Sequence, residues 1–342
     1  MIAKAHEVGL MNPHIPDELG GAGLSAFDGM LIGEELSWGC SGIGTAIVAN
    51  ILGALPVLIA GTEEQKRDWL SPLLEEPILC SFGLTEPGAG SDVSSIATTA
   101  VRRGDEYVLN GSKMLITNAG HASWFVVFAS TDRSKGHRGL SAFVVPADAD
   151  GVVVEKHLDK MGQRATDTSA LAFSDVKVPA ANLLGEEGQG FKIAMTTLDR
   201  TRTGTAVGAV GVARAAYDYA VEYARERVQF GQPIAINQGV NFPIADMATE
   251  IEAARLLCWQ AAWLLDQGER ATLQSSFAKR FAADTAMKVT TDAVQIFGGY
   301  GYMKEYPVEK LMRDAKLFQV YEGTSQIQRL VIAREIFLPR AS

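Results

Sequence analysis

Apolar residues form long runs between charged flanks in the first part of the chain, up to about residue 80. Residues 42–61 carry no charge at all. Asn50, Pro56 and several glycines interrupt this stretch, and we find no second segment of this kind, which favours buried helices broken at Pro56 over a membrane-spanning helix. The pattern therefore predicts a helical N-terminal region and no membrane insertion.

Short runs rich in β-branched and aromatic residues follow, from Val101 to Val178. The Asn-Gly pair at 110–111 and clusters of Asp and Gly bound them, and these residues are typical of turns between strands. The runs are EYVLNG, MLIT, WFVVFAS, LSAFVVP, GVVVEKH and SALAFSDVKVP. They predict a middle β domain of the barrel or sandwich type.

From Gly190 onward the apolar spacing changes to three and four residues, which is the period of a core-facing helix. Gly268 is the predicted stop of the clearest helix. Alanine-rich patterns also fill 205–227, 271–297 and 324–337. The predicted fold is α+β, with an N-terminal helical domain (1–80), a middle β-barrel or sandwich domain (81–187) and a C-terminal four-helix bundle (188–342). The clearest helical stripe is Ile244, Met247, Ala248, Ile251, Ala254, Cys258, Ala261, Ala262 and Leu265.

Charge and composition exclude several classes of ligand and partner. The chain has 31 Lys and Arg against 40 Asp and Glu, a net charge of −9, which is the wrong sign for binding nucleic acid. Its 3 cysteines are far apart and its 5 histidines show no zinc-ligand spacing, so we predict neither a disulfide framework nor a metal site. The first 12 residues resemble no signal or transit peptide.

Two glycine-rich segments are candidate ligand-binding loops. TEPGAGSD, from Thr85 to Asp92, combines small residues and hydroxyls, so its backbone N–H groups could approach an anion closely. The same composition is also that of an ordinary turn. The glycine-rich segment 298–301 follows a helical pattern rather than a strand, so it is not a dinucleotide fingerprint.

Glu322 lies between two helical patterns, in YEGTSQ. Most such glutamates are solvated, but here the preceding residues are apolar or aromatic and a glycine follows. A carboxylate in a dry pocket at this junction could act as a base, because desolvation raises its pKa towards neutrality.

Six motifs in register resemble the acyl-CoA dehydrogenase family, most closely its medium-chain type, from about Leu10 to Ile336. Each motif alone is weak evidence. The resemblance lies in their order and intervals, together with the predicted order of a helical, a β and a second helical region. They are Ser81–Val93 (SFGLTEPGAGSDV), Gly111–Asn118 (GSKMLITN), Arg227–Gly231 (RVQFG), Gln295–Gly301 (QIFGGYG), Glu305–Asp314 (EYPVEKLMRD) and Tyr321–Arg329 (YEGTSQIQR).

The resemblance implies an FAD held between two subunits of a homotetramer, a dimer of dimers. Arg227 of the neighbouring subunit would pair with the pyrophosphate, because its planar fork gives two charge-assisted hydrogen bonds to phosphate oxygens. Thr324 and Gln326 would close the cofactor site near the catalytic loop. The other residues implied to bind FAD are Phe82, Leu84, Thr85, Gly90, Ser91, Leu115 and Thr117 of the same subunit, and Gln229, Phe230, Gln238, Gln295 and Gly299 of its neighbour.

The resemblance also implies that Glu322 removes the α-proton of an acyl-CoA thioester while a hydride leaves the β-carbon for the flavin. The base's own backbone N–H and a ribityl hydroxyl would stabilise the developing enolate. Two relatives carry the base on an earlier helix, where this chain has Arg200 and Thr201, so Glu322 is the candidate. The residues implied to hold the substrate are Ser91, Asp199, Arg202 and Gly323.

Three features depart from the family pattern. Leu115 stands where the family usually has a tryptophan beside the flavin. The helical segment at the start is shorter than in relatives, and Gly239 and Pro243 interrupt what is usually a continuous helix.

The sequence thus predicts an FAD-dependent acyl-CoA dehydrogenase that acts on a medium-chain thioester and reduces an electron-transfer flavoprotein. It would lie in a bacterial cytoplasm or in a mitochondrial matrix. Two alternatives are an acyl-CoA oxidase that uses O₂ on the same fold and a non-catalytic acyl-CoA-binding helical scaffold.

Overall fold

The computed structural model describes residues 1–338, which divide into two compact units. The first unit contains Met1–Leu24, Thr45–Asp159 and Ala165–Leu198. The second contains Ser25–Gly44, Lys160–Arg164 and the chain from Asp199 onward. The predicted division at residues 80 and 187 stays a prediction.

The N-terminal region is helical, as predicted, but its break is not at the predicted position. Pro56 lies inside a helix, and the break occurs at Ala49. Buried Asn50 then fixes the route into the first strand, because its side chain accepts from Cys80 N and donates to Ile78 O. The helices are α1 Ile2–Glu7, α2 Ala26–Val48, α3 Asn50–Ala60, α4 Glu63–Leu70 and α5 Pro72–Glu75.

Within the described residues, each helix taken alone is too short or too polar to cross a membrane. A bent pair, α2 with α3, meets the length and composition test only when its members are counted together.

The β region is one mixed sheet of eight strands, in the order β6-β7-β3-β2-β4-β5-β8, with β1 paired parallel to β4. The predicted middle β region is confirmed, but the sheet is not closed into a barrel: the strand path ends at β6 and β8. The strands are β1 Leu79–Gly83, β2 Thr99–Arg103, β3 Glu106–Thr117, β4 Ala122–Ser130, β5 Leu140–Pro146, β6 Val152–His157, β7 Thr168–Pro179 and β8 Leu183–Leu184.

Strand β4 is buried on both faces. Its alternate residues Val126 and Phe128 join an apolar cluster with Val57 of the N-terminal helices. The intervening residue Val127 joins a second cluster with Leu171 of β7. This double burial explains the uninterrupted apolar run WFVVFA in the sequence.

Asn110-Gly111 is not a turn, contrary to the prediction. Strand β3 runs through the pair, and its register with β7 shifts there. A Cβ at Gly111 would lie 2.5 Å from Thr98 Oγ1, so a glycine lets the neighbouring strand approach.

The C-terminal region is helical, with a core dominated by alanine and valine. The predicted stripe on α7 is confirmed, and Gly268 follows the helix end with a φ of 72°. Gly239 and Pro243 do not interrupt α7: Gly239 is its second residue, where the backbone N–H has no intrahelical partner, and Pro243 lies inside the helix. Within residues 1–338 the bundle has five helices: α6 Gly190–Glu226, α7 Gln238–Asp266, α8 Thr272–Phe297, α9 Val308–Phe318 and α10 Ser325–Phe337, with a hairpin of β9 Val228–Gln229 and β10 Gln232–Pro233 between α6 and α7.

A buried ion pair anchors the TEPGAGSD segment to the sheet. Lys113 Nζ lies 2.7 Å from Glu86 Oε1, and it also donates to Leu84 O. Glu86 accepts further hydrogen bonds from Ala97 N and from the Thr98 backbone and hydroxyl. Burial raises the pKa of Glu86, but Lys113 and these donors outweigh it and leave that pKa lowered. Burial lowers the pKa of Lys113 to about 8.

We predict that Lys113→Met destabilises the protein by about 3–5 kcal/mol, because it leaves the Glu86 carboxylate buried without its partner. Urea unfolding followed by circular dichroism measures the change. The matched control is Lys135→Met, whose exposed pair with Asp132 should contribute no measurable stability. A loss no larger than that of the control would contradict the prediction.

Candidate active site

Glu322 lies in the short connection between α9 and α10 and has a left-handed backbone, with a φ of 52°. This conformation is uncommon for a residue with a side chain. Gln328 stabilises it, because its buried side-chain amide donates to the carbonyls of Glu322 (3.2 Å) and Gly323 (3.1 Å). The N–H of Glu322 finds no backbone acceptor within the described residues, so it can donate to a ligand.

Gly323 continues the left-handed turn with a φ of 86°. A Cβ at this position would lie 2.7 Å from Gln328 Nε2. Glycine is therefore required both by the backbone conformation and by the close approach of Gln328.

The Glu322 carboxylate is sheltered by α6 and α8. Thr201 Oγ1 donates to its Oε2 at 3.0 Å. Burial raises the pKa of Glu322, while hydrogen bonds from Thr205 and Thr201 and the charges of Lys279 and Arg202 act against that rise. The net effect is a raised pKa, as suits a general base.

Arg202 acts on this carboxylate by its charge, and Asp199 pairs with Arg202. Arg202 is 5 % exposed and its Nη1 lies 2.5 Å from Asp199 Oδ1, while Thr272 donates to the other carboxylate oxygen at 2.9 Å. A Cβ at Gly323 would lie 3.9 Å from Arg202 Nη2. The second unit thus brings Arg202 close to the Glu322 turn and pairs it with Asp199.

In the first unit, β1 and β3 bring together most of the residues predicted to bind the flavin. Met114 N donates to Thr85 O at 2.9 Å, and Ser81 Oγ donates to Thr117 O at 2.7 Å. These bonds join the segment that carries Phe82, Leu84 and Thr85 to the end of β3.

Leu115 projects from a bulge in β3. Its φ is 63°, the register with β7 shifts between Lys113 and Ile116, and its side chain is 60 % exposed. The bulge therefore turns an apolar side chain outwards at the place where the family usually has an aromatic ring.

The loop after Thr85 is open to solvent at its glycines. Gly88, Gly90 and Ser91 are exposed, and a Cβ at either glycine would meet nothing within 4 Å. A phosphate group can therefore approach the backbone N–H groups of this loop.

A cavity of about 550 Å³ in the second unit contains three of the residues predicted to bind FAD from the neighbouring subunit: Arg227, Gln229 and Gly299. Its walls are aromatic, since Tyr223 and Phe297 stack at 4.1 Å and Arg227 lies over the Tyr300 ring. A guanidinium beside aromatic rings suits a pyrophosphate and a nucleobase.

The remaining predicted residues lie outside the lining of this cavity. Phe230 is 99 % exposed in the turn between β9 and β10, and Gln238 and Gln295 are exposed on α7 and α8. Thr324 caps α10 by accepting from Ile327 N, and Gln326 is exposed in the first turn of that helix.

Sequence reasoning missed the side chains that support the site. Lys279, Gln328 and Thr205 support Glu322. Lys279 and Thr205 lie outside the six motifs, and Gln328 lies within Tyr321–Arg329, but its residue type alone does not indicate that it holds the turn. One signal was available for Lys279: it is a lone cation on the alanine-rich face of α8, next to Ala278 and close to Ala282.

Family models cover nearly the whole chain. Residues 1–77 match the acyl-CoA dehydrogenase N-terminal domain, residues 81–176 the middle domain and residues 188–337 the C-terminal domain.

Curated relatives agree with these models. An acyl-CoA dehydrogenase of Bacillus subtilis is 47 % identical over 98 % of this chain and 88 % of its own length. The short-chain specific enzyme of Bos taurus mitochondria is 48 % identical, over 97 % of this chain and 81 % of its own. A probable medium-chain specific enzyme of Caenorhabditis briggsae is 45 % identical, over 98 % of this chain and 82 % of its own length.

Solved structures share the fold. Butyryl-CoA dehydrogenase of Megasphaera elsdenii has a TM-score of 0.96 and 46 % identity over 98 % of this chain and 89 % of its own. A chain in a structure described as the electron transferring flavoprotein of Acidaminococcus fermentans has a TM-score of 0.97 and 49 % identity. The match covers 98 % of this chain and 89 % of that one. The prolyl acyl carrier protein oxidase AnaB has a TM-score of 0.95 and 35 % identity, over 98 % of this chain and 90 % of its own.

With its fold, its site and these relatives together, the chain belongs to the acyl-CoA dehydrogenase family. It is an FAD-dependent flavoprotein oxidoreductase. The glycine loop after Thr85 and the Arg227 cavity fit that cofactor by the chemistry of their donors.

Proposed function

We propose that the protein converts an acyl-CoA thioester to the trans-2-enoyl-CoA, with Glu322 as the base that removes the α-proton. The observation that carries this proposal is the environment of Glu322: a sheltered carboxylate of raised pKa, beside a backbone N–H that finds no backbone acceptor in the described chain. The non-catalytic scaffold does not account for a carboxylate prepared in this way.

The chemistry follows from the weak acidity of the α-carbon. Its proton leaves only if negative charge on the thioester oxygen is stabilised, and the Glu322 N–H is a donor for that oxygen. The carboxylate accepts the proton, and entry of an acyl chain excludes water and raises its proton affinity further. FAD, when bound, accepts the hydride from the β-carbon.

We assign FAD binding to two groups of residues. Thr85, Gly90, Ser91 and Thr117 would hold the isoalloxazine, ribityl and phosphate groups together with Phe82, Leu84 and Leu115. Arg227 of a neighbouring subunit would pair with the pyrophosphate, and this role requires an oligomer, which we propose to be a homotetramer. The other residues assigned to the neighbouring subunit's contribution are Gln229, Phe230, Gln238, Gln295 and Gly299, with Thr324 and Gln326 near the catalytic loop.

Asp199 and Arg202 are assigned to binding of the CoA portion, with Gly323 and Ser91. Arg202 Nε is buried without a hydrogen-bond partner in the described structure, and Asp199 holds the guanidinium in a fixed orientation. A polar group of the substrate would satisfy that unused donor.

The acyl group is proposed to be a medium straight chain. Small residues, Thr45, Ala46 and Ala49, surround the break between α2 and α3, and the side chain of Val48 is 44 % exposed there. Asn118 fixes this segment by donating to Ala46 O at 2.9 Å. Relatives named for short and for medium chains match about equally well, so identity alone does not select the length.

The proposed electron acceptor is an electron-transfer flavoprotein, and the proposed location is a bacterial cytoplasm or a mitochondrial matrix. Bacterial and mitochondrial relatives and the neighbour described as an electron transferring flavoprotein support these assignments. An oxidase is the second candidate, because Leu115 provides less apolar cover than a tryptophan and a structural neighbour is an oxidase.

The first prediction concerns the base. Glu322→Gln keeps the volume and the backbone N–H, but its amide cannot accept the α-proton. Anaerobic flavin reduction by a saturating acyl-CoA, followed by stopped-flow absorbance, should fall by more than the roughly 10²- to 10⁴-fold typical of a positioned base. FAD content and acyl-CoA binding, measured in the same preparation, should survive. Reduction within about tenfold of wild type would remove Glu322 from this role.

The second prediction concerns chain length. Val48→Phe should shift relative kcat/KM towards shorter acyl groups, since each CH₂ that no longer fits loses about 0.8 kcal/mol of binding free energy. A series of straight-chain acyl-CoA substrates measures the shift. Val101→Phe, an exposed valine on β2, is the control. An unchanged series in Val48→Phe would show that this residue does not limit the pocket.

The third prediction concerns the acceptor. We expect the reduced wild-type enzyme to react faster with an electron-transfer flavoprotein than with air, and Leu115→Trp to slow the reaction with air further by covering the flavin edge. Absorbance after admission of air to the anaerobically reduced enzyme measures both. Fast reoxidation of wild type by air would favour the oxidase instead.

A further inference from the structure

Lys279 is a buried cation that no family motif explains. It lies on α8 with 0 % of its surface exposed, and its neighbours on the buried face of the helix are the small residues Ser275, Ser276, Ala282 and Ala283. A lysine is rarely buried in this way unless its charge has a partner, because removal of an ammonium group from water is costly.

The Lys279 ammonium is aimed at the Glu322 turn. Its Nζ donates at 2.5 Å to the carbonyl of Gly323, the residue directly after Glu322. The side-chain amide of Gln328 donates to the same carbonyl at 3.1 Å. Two buried donors, one from α8 and one from α10, therefore hold the peptide that follows the base.

The other charged groups around this turn are already paired. Arg202, from α6, is neutralised by Asp199 at 2.5 Å. Asp284, one turn after Lys279 on α8, pairs with Arg329 at 2.9 Å and also faces Arg280. The positive charge of Lys279 is thus the one most available to the Glu322 carboxylate.

Burial and charge act on the two groups in a way that agrees with this geometry. Burial lowers the pKa of Lys279 to about 8, and the charge of Glu322 acts in the opposite direction. Lys279 in turn acts to lower the raised pKa of Glu322. Each group favours the ionised form of the other.

We propose that Lys279 is a positioning residue for the base: it holds the Gly323 carbonyl so that the left-handed turn aims the Glu322 carboxylate and N–H, and its charge keeps that carboxylate ionised. The proposal rests on the assignment of Glu322 as the base. It separates two contributions, a hydrogen bond that sets geometry and a charge that sets proton affinity.

Two variants separate these contributions. Lys279→Met removes the donor and the charge, whereas Lys279→Gln removes the charge but keeps an N–H donor. Lys288→Met is the matched control, because Lys288 lies on the same helix and pairs at the surface with Glu250. The rate of anaerobic flavin reduction is measured from acidic to alkaline pH, together with FAD content and thermal unfolding.

We expect Lys279→Met to slow reduction by roughly tenfold or more, since a small misplacement of a reacting group has effects of this size. We expect the acidic limb of the pH–rate profile of this variant to move to higher pH. Loss of a nearby cation raises the pKa of a carboxylate that must be ionised to act. Lys279→Gln should recover part of the rate but keep the displaced limb. Lys288→Met should resemble wild type in both.

Several outcomes would overturn the proposal. One is an unmoved limb and a wild-type rate in FAD-loaded Lys279→Met. In that case the base assignment still stands if Glu322→Gln has lost reduction, and it falls with the proposal if Glu322→Gln also reacts normally. Loss of FAD and of folding in both Lys279 variants would equally reject a positioning role, because Lys279 would then be needed for the fold itself.

Discussion

The chemistry of this protein depends on one conflict at the Glu322 carboxylate. The group must be sheltered from water to be basic enough for a carbon acid, and it must still be ionised to accept a proton. Burial raises its proton affinity, while two threonine hydroxyls and the charges of Lys279 and Arg202 hold that rise in check. These supporting groups come from α6 and α8, so two long helices of the bundle together set the proton affinity of one side chain.

Glu86 shows what happens when the same amino acid has a different environment. Its carboxylate contacts the Lys113 ammonium directly and accepts hydrogen bonds from Ala97 and Thr98, and its pKa is lowered. Glu322 has no cation in direct contact within the described residues, and its pKa is raised. One glutamate is therefore a permanent anion that anchors a loop, and the other is prepared to exchange a proton. The contrast arises because Glu86 has a cation and several donors in direct contact, whereas burial dominates at Glu322.

Local pattern predicted the α, β, α order and the stripe on α7 well, because both follow from short-range periodicity. It failed where tertiary contacts override local preference. Pro56 and Pro243 lie within helices, and Asn110-Gly111 lies in a continuous strand because β2 approaches Gly111. The sequence also did not predict that the sheet stays open, because the pairing of strands distant in sequence leaves no local pattern.

The candidate site also contains residues that the sequence predicted and residues that it did not. Glu322 and the glycine loop belong to contiguous motifs, so their positions could be read from the sequence. Lys279 and Gln328 act on Glu322 through contacts that only the folded chain creates. The sequence of an alanine-rich helix gives little indication of which peptide a buried lysine such as Lys279 will bind.

The position of β4 has a consequence for the order in which the chain assembles. Glu86 binds Thr98, and the carbonyl of Thr98 accepts from Ser130 N at the end of β4. The glycine loop near the start of the sheet is thus completed by a strand synthesised much later. Because such non-local pairing loses chain entropy before its contacts compensate, we expect it to form later than the adjacent pairing of β2 with β3. During synthesis, we therefore expect this loop to reach its final shape only after β4 has left the ribosome.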